Sequence, residues 1–142
     1  MNIEPYKASD LYNLDLQDGQ AYLSDWVTVD QAKALEDNGW AYTGFVNDKP
    51  IACIGLLPIW QGRGMAWAYI SCEAVGRQFI PIHKAVSRFL DACYLQRIEM
   101  TVDCEFEAGH RWARMLGFEM EAECMKSYRP DGGDCSLYAR VL

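Results

Sequence analysis

The groups able to do chemistry in this chain are few and widely spaced. In two stretches, Gln61-Gly62-Arg63-Gly64-Met65-Ala66 and Val75-Gly76-Arg77-Gln78, glycine stands beside arginine. Such a turn can aim successive backbone N–H groups and a guanidinium at phosphate oxygens. The two histidines, His83 and His110, are candidate proton carriers. His110 stands next to Arg111 and close to Arg114 and reads as an exposed helix residue, and His83 as a surface residue that could lean toward an anion. Cys104 has a nucleophile's atom but no base beside it in the sequence to lower its pKa, so it reads as an ordinary thiol. Asp131-Gly132-Gly133-Asp134 has the look of a calcium loop without the later glutamate that completes one, and reads as a turn.

The elements that must position these groups follow from period and punctuation. Asn2 to Tyr6 alternates as a short strand, and Ser9-Asp10 can cap a helix beginning near Leu11. Gln20 to Trp26 continues the helical reading, and Thr28-Val29-Asp30-Gln31 has the spacing of a capping box for a helix that stops at Asn38-Gly39. Trp40 to Val46 and Pro50 to Leu57 read as a hairpin around Asn47-Asp48-Lys49. Ile59 to Gly64 is a second turn region, and Met65 to Val75 is a third antiparallel strand. Ile82, Ala85, Val86, Phe89, Leu90 and Cys93 mark one buried helix face, with Pro81 in the first turn. Arg97 to Cys104 alternates again, and a helical crossover predicts that it runs parallel to the preceding strand. Glu107 to Leu116 is a helix stopped by Gly117, and two strands follow, Glu121 to Tyr128 and Cys135 to Leu142.

Length and composition bound the rest. The chain has 142 residues, 51% hydrophobic and 23% charged, with 13 Lys plus Arg against 20 Asp plus Glu. This predicts one self-sufficient domain over residues 1–142. The net charge of −7 opposes a polyanion or an anionic membrane unless a local basic patch prevails. Nucleic acid and membrane are therefore not expected partners. The start lacks a basic leader and an apolar core, so the mature chain is expected to begin there. The six cysteines lie in apolar segments without metal or redox spacing, which predicts reduced thiols in a cytoplasmic protein and no metal site.

The order of elements resembles the GNAT superfamily of acetyl-CoA-dependent N-acetyltransferases over the whole chain. The most specific pieces are Arg97-Ile98-Glu99-Met100-Thr101-Val102 and His110-Arg111-Trp112-Ala113-Arg114-Met115-Leu116-Gly117-Phe118, which look like that superfamily's fifth strand and fourth helix. Ala66-Trp67, Val102-Asp103 and Arg111-Trp112 further resemble a subgroup encoded by tailed phages, some of whose members are called internal virion proteins. The resemblance implies an α/β fold, a mixed, mostly antiparallel twisted sheet flanked by helices, and acetyl-CoA as cofactor. It also implies a location in the host cytoplasm or the virion.

Gln61 to Ala66 fits the superfamily's pyrophosphate loop, Gln/Arg-x-x-Gly-x-Gly/Ala, yet a strand and not a helix follows it. It also lies 56 positions before Gly117, where the intervening elements need roughly 40–45. The cofactor-binding junction is therefore placed at Val75, Gly76, Arg77 and Gln78, a degraded loop with one glycine. Arg77 is either a phosphate contact or the solvated arginine of an ordinary strand-to-helix turn. The superfamily's common general-acid tyrosine is replaced by Ala113, and an asparagine that often opens the fourth helix by Phe106. Glu73 is the candidate catalytic base, read as lying near the end of the fourth strand where an amine would meet the thioester. Two functions follow. One is a GNAT-fold protein that acts by association, through a protein partner or as a homo-oligomer, and binds acetyl-CoA weakly or not at all. The other is an acetyl-CoA-dependent N-acetyltransferase of a small-molecule or protein amine.

Overall fold

Asn47 and Asp48 both adopt positive φ, 51° and 63°, the two-residue geometry whose twist matches a right-handed hairpin. They join β2 (Trp40–Val46) to β3 (Lys49–Trp60), with Val46 opposite Lys49. In the computed structural model, which describes residues 1–74 and 76–142, β3 continues to Trp60 and β4 (Arg63–Ile70) starts three residues later. The second turn is thus only Gln61-Gly62, tighter than the sequence suggested, and it needs the positive φ of Gly62, +84°. Gln61 to Ala66 therefore forms a hairpin connection with a strand at Met65, as expected.

Seven strands form one sheet in the order β1-β2-β3-β4-β5-β7-β6. β1 (Asn2–Pro5), β6 (Glu119–Met125) and β7 (Cys135–Val141) complete the antiparallel part. β5 (Arg97–Asp103) lies parallel to β4, as the helical crossover requires. The alternation of β3 and β4 divides two cores. Ala52, Leu56 and Ile70 face Ile82, Val86 and Leu90 of α3 (Phe79–Ala92) and Ala113 of α4 (Glu107–Met115). Cys53, Trp67 and Tyr69 face the other way, onto Leu11 of α1 (Ala8–Tyr12) and Ala32 of α2 (Val29–Asp37).

Local signals set the helix ends. Thr28 Oγ1 accepts from the Gln31 N–H at 3.2 Å, and the Gln31 amide oxygen accepts from the Thr28 N–H at 3.1 Å, the expected capping box. At the end of α4, Gly117 N–H donates to Arg114 O and Phe118 N–H to Ala113 O, both at 3.0 Å. This is a Schellman motif with Gly117 at φ +87°, and it returns Phe118 to the core at 3% exposure.

Two boundaries differ from the sequence reading. The third strand of the meander stops at Ile70, not Val75, because Ser71 keeps only a single bridge, to Leu16, before Cys72–Ala74 turns as a short 3-10 helix. Gln20 to Trp26 is not α-helical, since Asp18–Asp25 is a 3-10 segment. Among the described residues no helix is long and apolar enough to cross a membrane.

Candidate functional site

β4 and β5 pair at only three positions, Arg63 with Arg97, Gly64 with Ile98 and Met65 with Glu99. An ion network pins this end. Glu99 is 4% exposed and is held by Arg63, which reaches it with two guanidinium nitrogens, and by Arg97 at 3.4 Å. Arg97 also pairs with Glu121. These hydrogen bonds, Arg63 first, hold the Glu99 carboxyl below the usual range. Arg63, the arginine of the expected decoy turn, is thus committed to Glu99. Past this clasp the strands part, leaving a cleft of about 120 Å³ between Ala66 to Ile70 and Met100 to Asp103.

The segment around the first 3-10 helix runs along the open edge of β4. Gln20 Nε2 donates to Ala68 O at 2.7 Å, and Gln20 Oε1 accepts from the Ile70 N–H at 3.0 Å. The Gln17 N–H donates to Ile70 O at 2.9 Å. One side-chain amide therefore does what a neighbouring strand would do. Phe106, at the start of α4, lies against Gly19 with no room for a Cβ there, and a Cβ on Gly109 would come within 2.7 Å of the Phe106 ring and of Val102. Tyr22 lies beneath the Arg129 guanidinium, 3.9 Å from its carbon, and Arg129 is ion-paired with Asp103. The segment is thus fastened at both ends of the cleft.

At the junction before α3, Gly76 has φ +92° with open space around it, and Arg77 and Gln78 are exposed. Val75 lies outside the described residues. The Phe79 N–H donates to Gly76 O at 3.1 Å and the Ile80 N–H to Arg77 O at 3.3 Å, while Pro81 has no N–H. The first three positions of α3 thus offer no free donor.

The chain shares this shape with several solved structures. It matches Ard1 from Thermoplasma volcanium over 99% of this chain and 97% of that one, at TM-score 0.79 and 14% identity. A ribosomal-protein-alanine N-acetyltransferase from Brucella melitensis matches over 100% of both chains at TM-score 0.67 and 15% identity. An acetyltransferase of the GNAT family from Streptococcus pneumoniae matches over 99% of both at TM-score 0.68 and 15% identity. The fold is that of the GNAT acetyltransferases. No protein-family model and no curated protein matches the sequence.

On this GNAT frame the expected site residues fall as follows. Glu73 sits in the Cys72–Ala74 turn beyond the strand. Its carboxylate pairs with Lys49 Nζ at 2.6 Å, and it is not among the residues lining the cleft. Ala113, at the position of the absent phenol, is fully buried. His110 is not the exposed residue its arginine neighbours suggested, being 8% exposed. Its Nε2 lies 3.0 Å from Cys104 O, which can only accept, so that nitrogen carries a proton, and Nδ1 shares a hydrogen bond with Tyr138 Oη at 2.7 Å. His83 Nδ1 accepts from the Trp112 indole at 3.1 Å. Cys104 Sγ donates to Glu123 O at 3.5 Å and lies 3.8 Å from Ser136 Oγ. Among the described residues no cluster of side chains has the makings of a metal site. Sequence reasoning missed Gln20, whose partners are 48 and 50 positions away, and Glu99, whose partner Arg63 lies 36 positions away.

Proposed function

We propose that this GNAT-fold chain acts by association with a partner and does not transfer acetyl groups, the β4 edge of its cofactor cleft being taken up by its own Gln20 side chain. The observation that carries this is the Gln20 amide on the β4 edge, where it takes up Ala68 O and Ile70 N–H. The start of α3 supports it, because a degraded loop with one glycine and no free first-turn donor is a poor anion seat. So does the buried Ala113 in place of a phenol. As the cleft stands, its residues do not fit acetyl-CoA, which is expected to bind weakly or not at all. The resemblance to a phage-encoded subgroup agrees with such a role, in the host cytoplasm or a particle.

The parting of β4 and β5 favours a second reading, an acetyl-CoA-dependent N-acetyltransferase acting on an amine, with Arg77 as phosphate contact and Glu73 as base. Thermal unfolding with added acetyl-CoA separates the two. A working site at a hundredfold excess over its dissociation constant adds about 2.7 kcal/mol, which raises the melting temperature by roughly 5–10 °C in a domain of this length. No shift is expected at sub-millimolar acetyl-CoA. A clear shift abolished by Arg77→Glu, with acetyl transfer lost in Glu73→Gln, would establish the second reading.

A further inference from the structure

The sheet separates the charges of this protein. Residues 1–37, which supply β1, the first 3-10 segment and the α1 and α2 layer, hold eight carboxylates against Lys7 and Lys33; Glu36 and Asp37 are tied to Lys33, and Asp15 to Lys49. On the other side, Arg77, Lys84, Arg88, Arg111 and Arg114 stand exposed on α3, its junction and α4. Among the described residues none of these five is in an ion pair, whereas every other basic side chain except Lys7 is. The acids on that layer are Asp91, Glu107 and, in the turn that leads into α4, Glu105, and Asp91 holds Arg140. Cations with no use inside the fold are therefore gathered on one face of an acidic molecule.

Both faces also carry apolar groups beside their charges. Ile80 and Met115 are 56% and 62% exposed on the basic layer. Val29, 69% exposed, and Tyr12, 49% exposed, stand together on the acidic layer, where Tyr12 Oη donates to Val29 O at 3.3 Å. Apolar anchors within a charged surround are the ordinary anatomy of an interface.

We propose that the α3–α4 face docks onto the α1–α2 face of a second copy of this chain. The inference rests on the association reading and names the partner. A second copy carries the carboxylates that complement the five cations, whereas a polyanion meets the same carboxylates as long-range repulsion. Because the two faces lie on opposite sides of one sheet, the contact is head to tail, and it extends into a chain or closes into a ring.

Sedimentation velocity of the full chain tests this. At about 50 mM NaCl the mass is expected to exceed the 16.2 kDa of one chain, and to fall to that value near 1 M, where the screening length is about 3 Å. Lys84→Glu/Arg88→Glu should sediment as a monomer at low salt, and so should Asp30→Lys/Asp37→Lys. An equimolar mixture of the two should associate again, because each variant's altered face complements the other's, which also shows that both are folded. A monomeric wild type at low salt, association indifferent to salt or to both variants, or a mixture that stays monomeric would overturn the proposal. So would a monomer that binds a single-stranded oligonucleotide through Lys84 and Arg88, which would give the face to nucleic acid. Acetyl-CoA binding is read separately by melting temperature, so failure of the association reading and failure of this one are distinguishable.

Discussion

Replacing Gln20 removes the contact on which the reading of the cleft depends. Its amide donates to Ala68 O at 2.7 Å and accepts from Ile70 N–H at 3.0 Å. At roughly 0.5–1.5 kcal/mol net for each bond, Gln20→Ala should cost about 1–3 kcal/mol, with the lower end reached if water enters to satisfy the strand edge. Unfolding entropy for this length makes that a fall of roughly 3–10 °C in melting temperature. Gln20→Glu is the sharper probe. Its carboxylate still accepts from Ile70 N–H but faces Ala68 O with an oxygen that has no proton to give. Protonation restores the donor, so the folded pKa must lie above the unfolded value of about 4.3. The stability this contributes is fully present below that value and is lost as pH rises through the raised folded pKa. Gln20→Glu should therefore be close to wild type near pH 4 and well below it at pH 7, measured by thermal and urea unfolding. A Gln20→Ala protein that melts within a degree of wild type, or a Gln20→Glu protein that tracks wild type at both pH values, would refute the placement of this amide on the strand.

Three further outcomes are expected. Glu99 is held below its ordinary pKa, first by its hydrogen bond from Arg63. It therefore stabilises the fold above about pH 4.5 and loses that contribution as pH falls through its depressed folded value; the urea midpoint of Glu99→Gln should fall less steeply than wild type below that pH. Tyr138→Phe leaves His110 Nδ1 without its partner inside the core and should cost about 1–3 kcal/mol in urea unfolding; an unchanged midpoint would contradict this buried hydrogen bond. All six cysteines are free. Titration of denatured, never-reduced protein should find six thiols, and in the native protein the exposed Cys72 and Cys124 should react before Cys53, whose thiol burial pushes up to about 12, and Cys135, pushed up to about 11.

The sequence alone determined the pieces whose cause is local. The capping box at Thr28 and Gln31, the Leu-Gly-Phe stop after α4 and the buried stripe of α3 each depend on residues within a few positions of one another. So does the conclusion that Gln61 to Ala66 closes a hairpin, since the period of two on both sides leaves no helix to start there. A signal for His110 was also present and went unused: it lies three positions before the buried Ala113, on the inner face of α4, and its arginine neighbours masked this. Tertiary structure decided what depends on distant partners. The period of two in β4 runs on past Ile70 through Ser71 and Glu73, but a strand ends where its pairing does, and beyond Ile70 the described residues keep only the Ser71 bridge to Leu16 and one Ser71 N–H bond to Ile51 O. Glu99 alternates onto a face that pattern assigns to solvent, and it is buried because Arg63 of the neighbouring strand β4 closes over it beside Arg97, two positions earlier on its own strand. Gln20 meets the β4 edge across some fifty residues, a contact with no period to announce it. The unpaired carbonyl and N–H of a parted strand must bond to something, and which side chain meets that need is fixed only when the chain has folded.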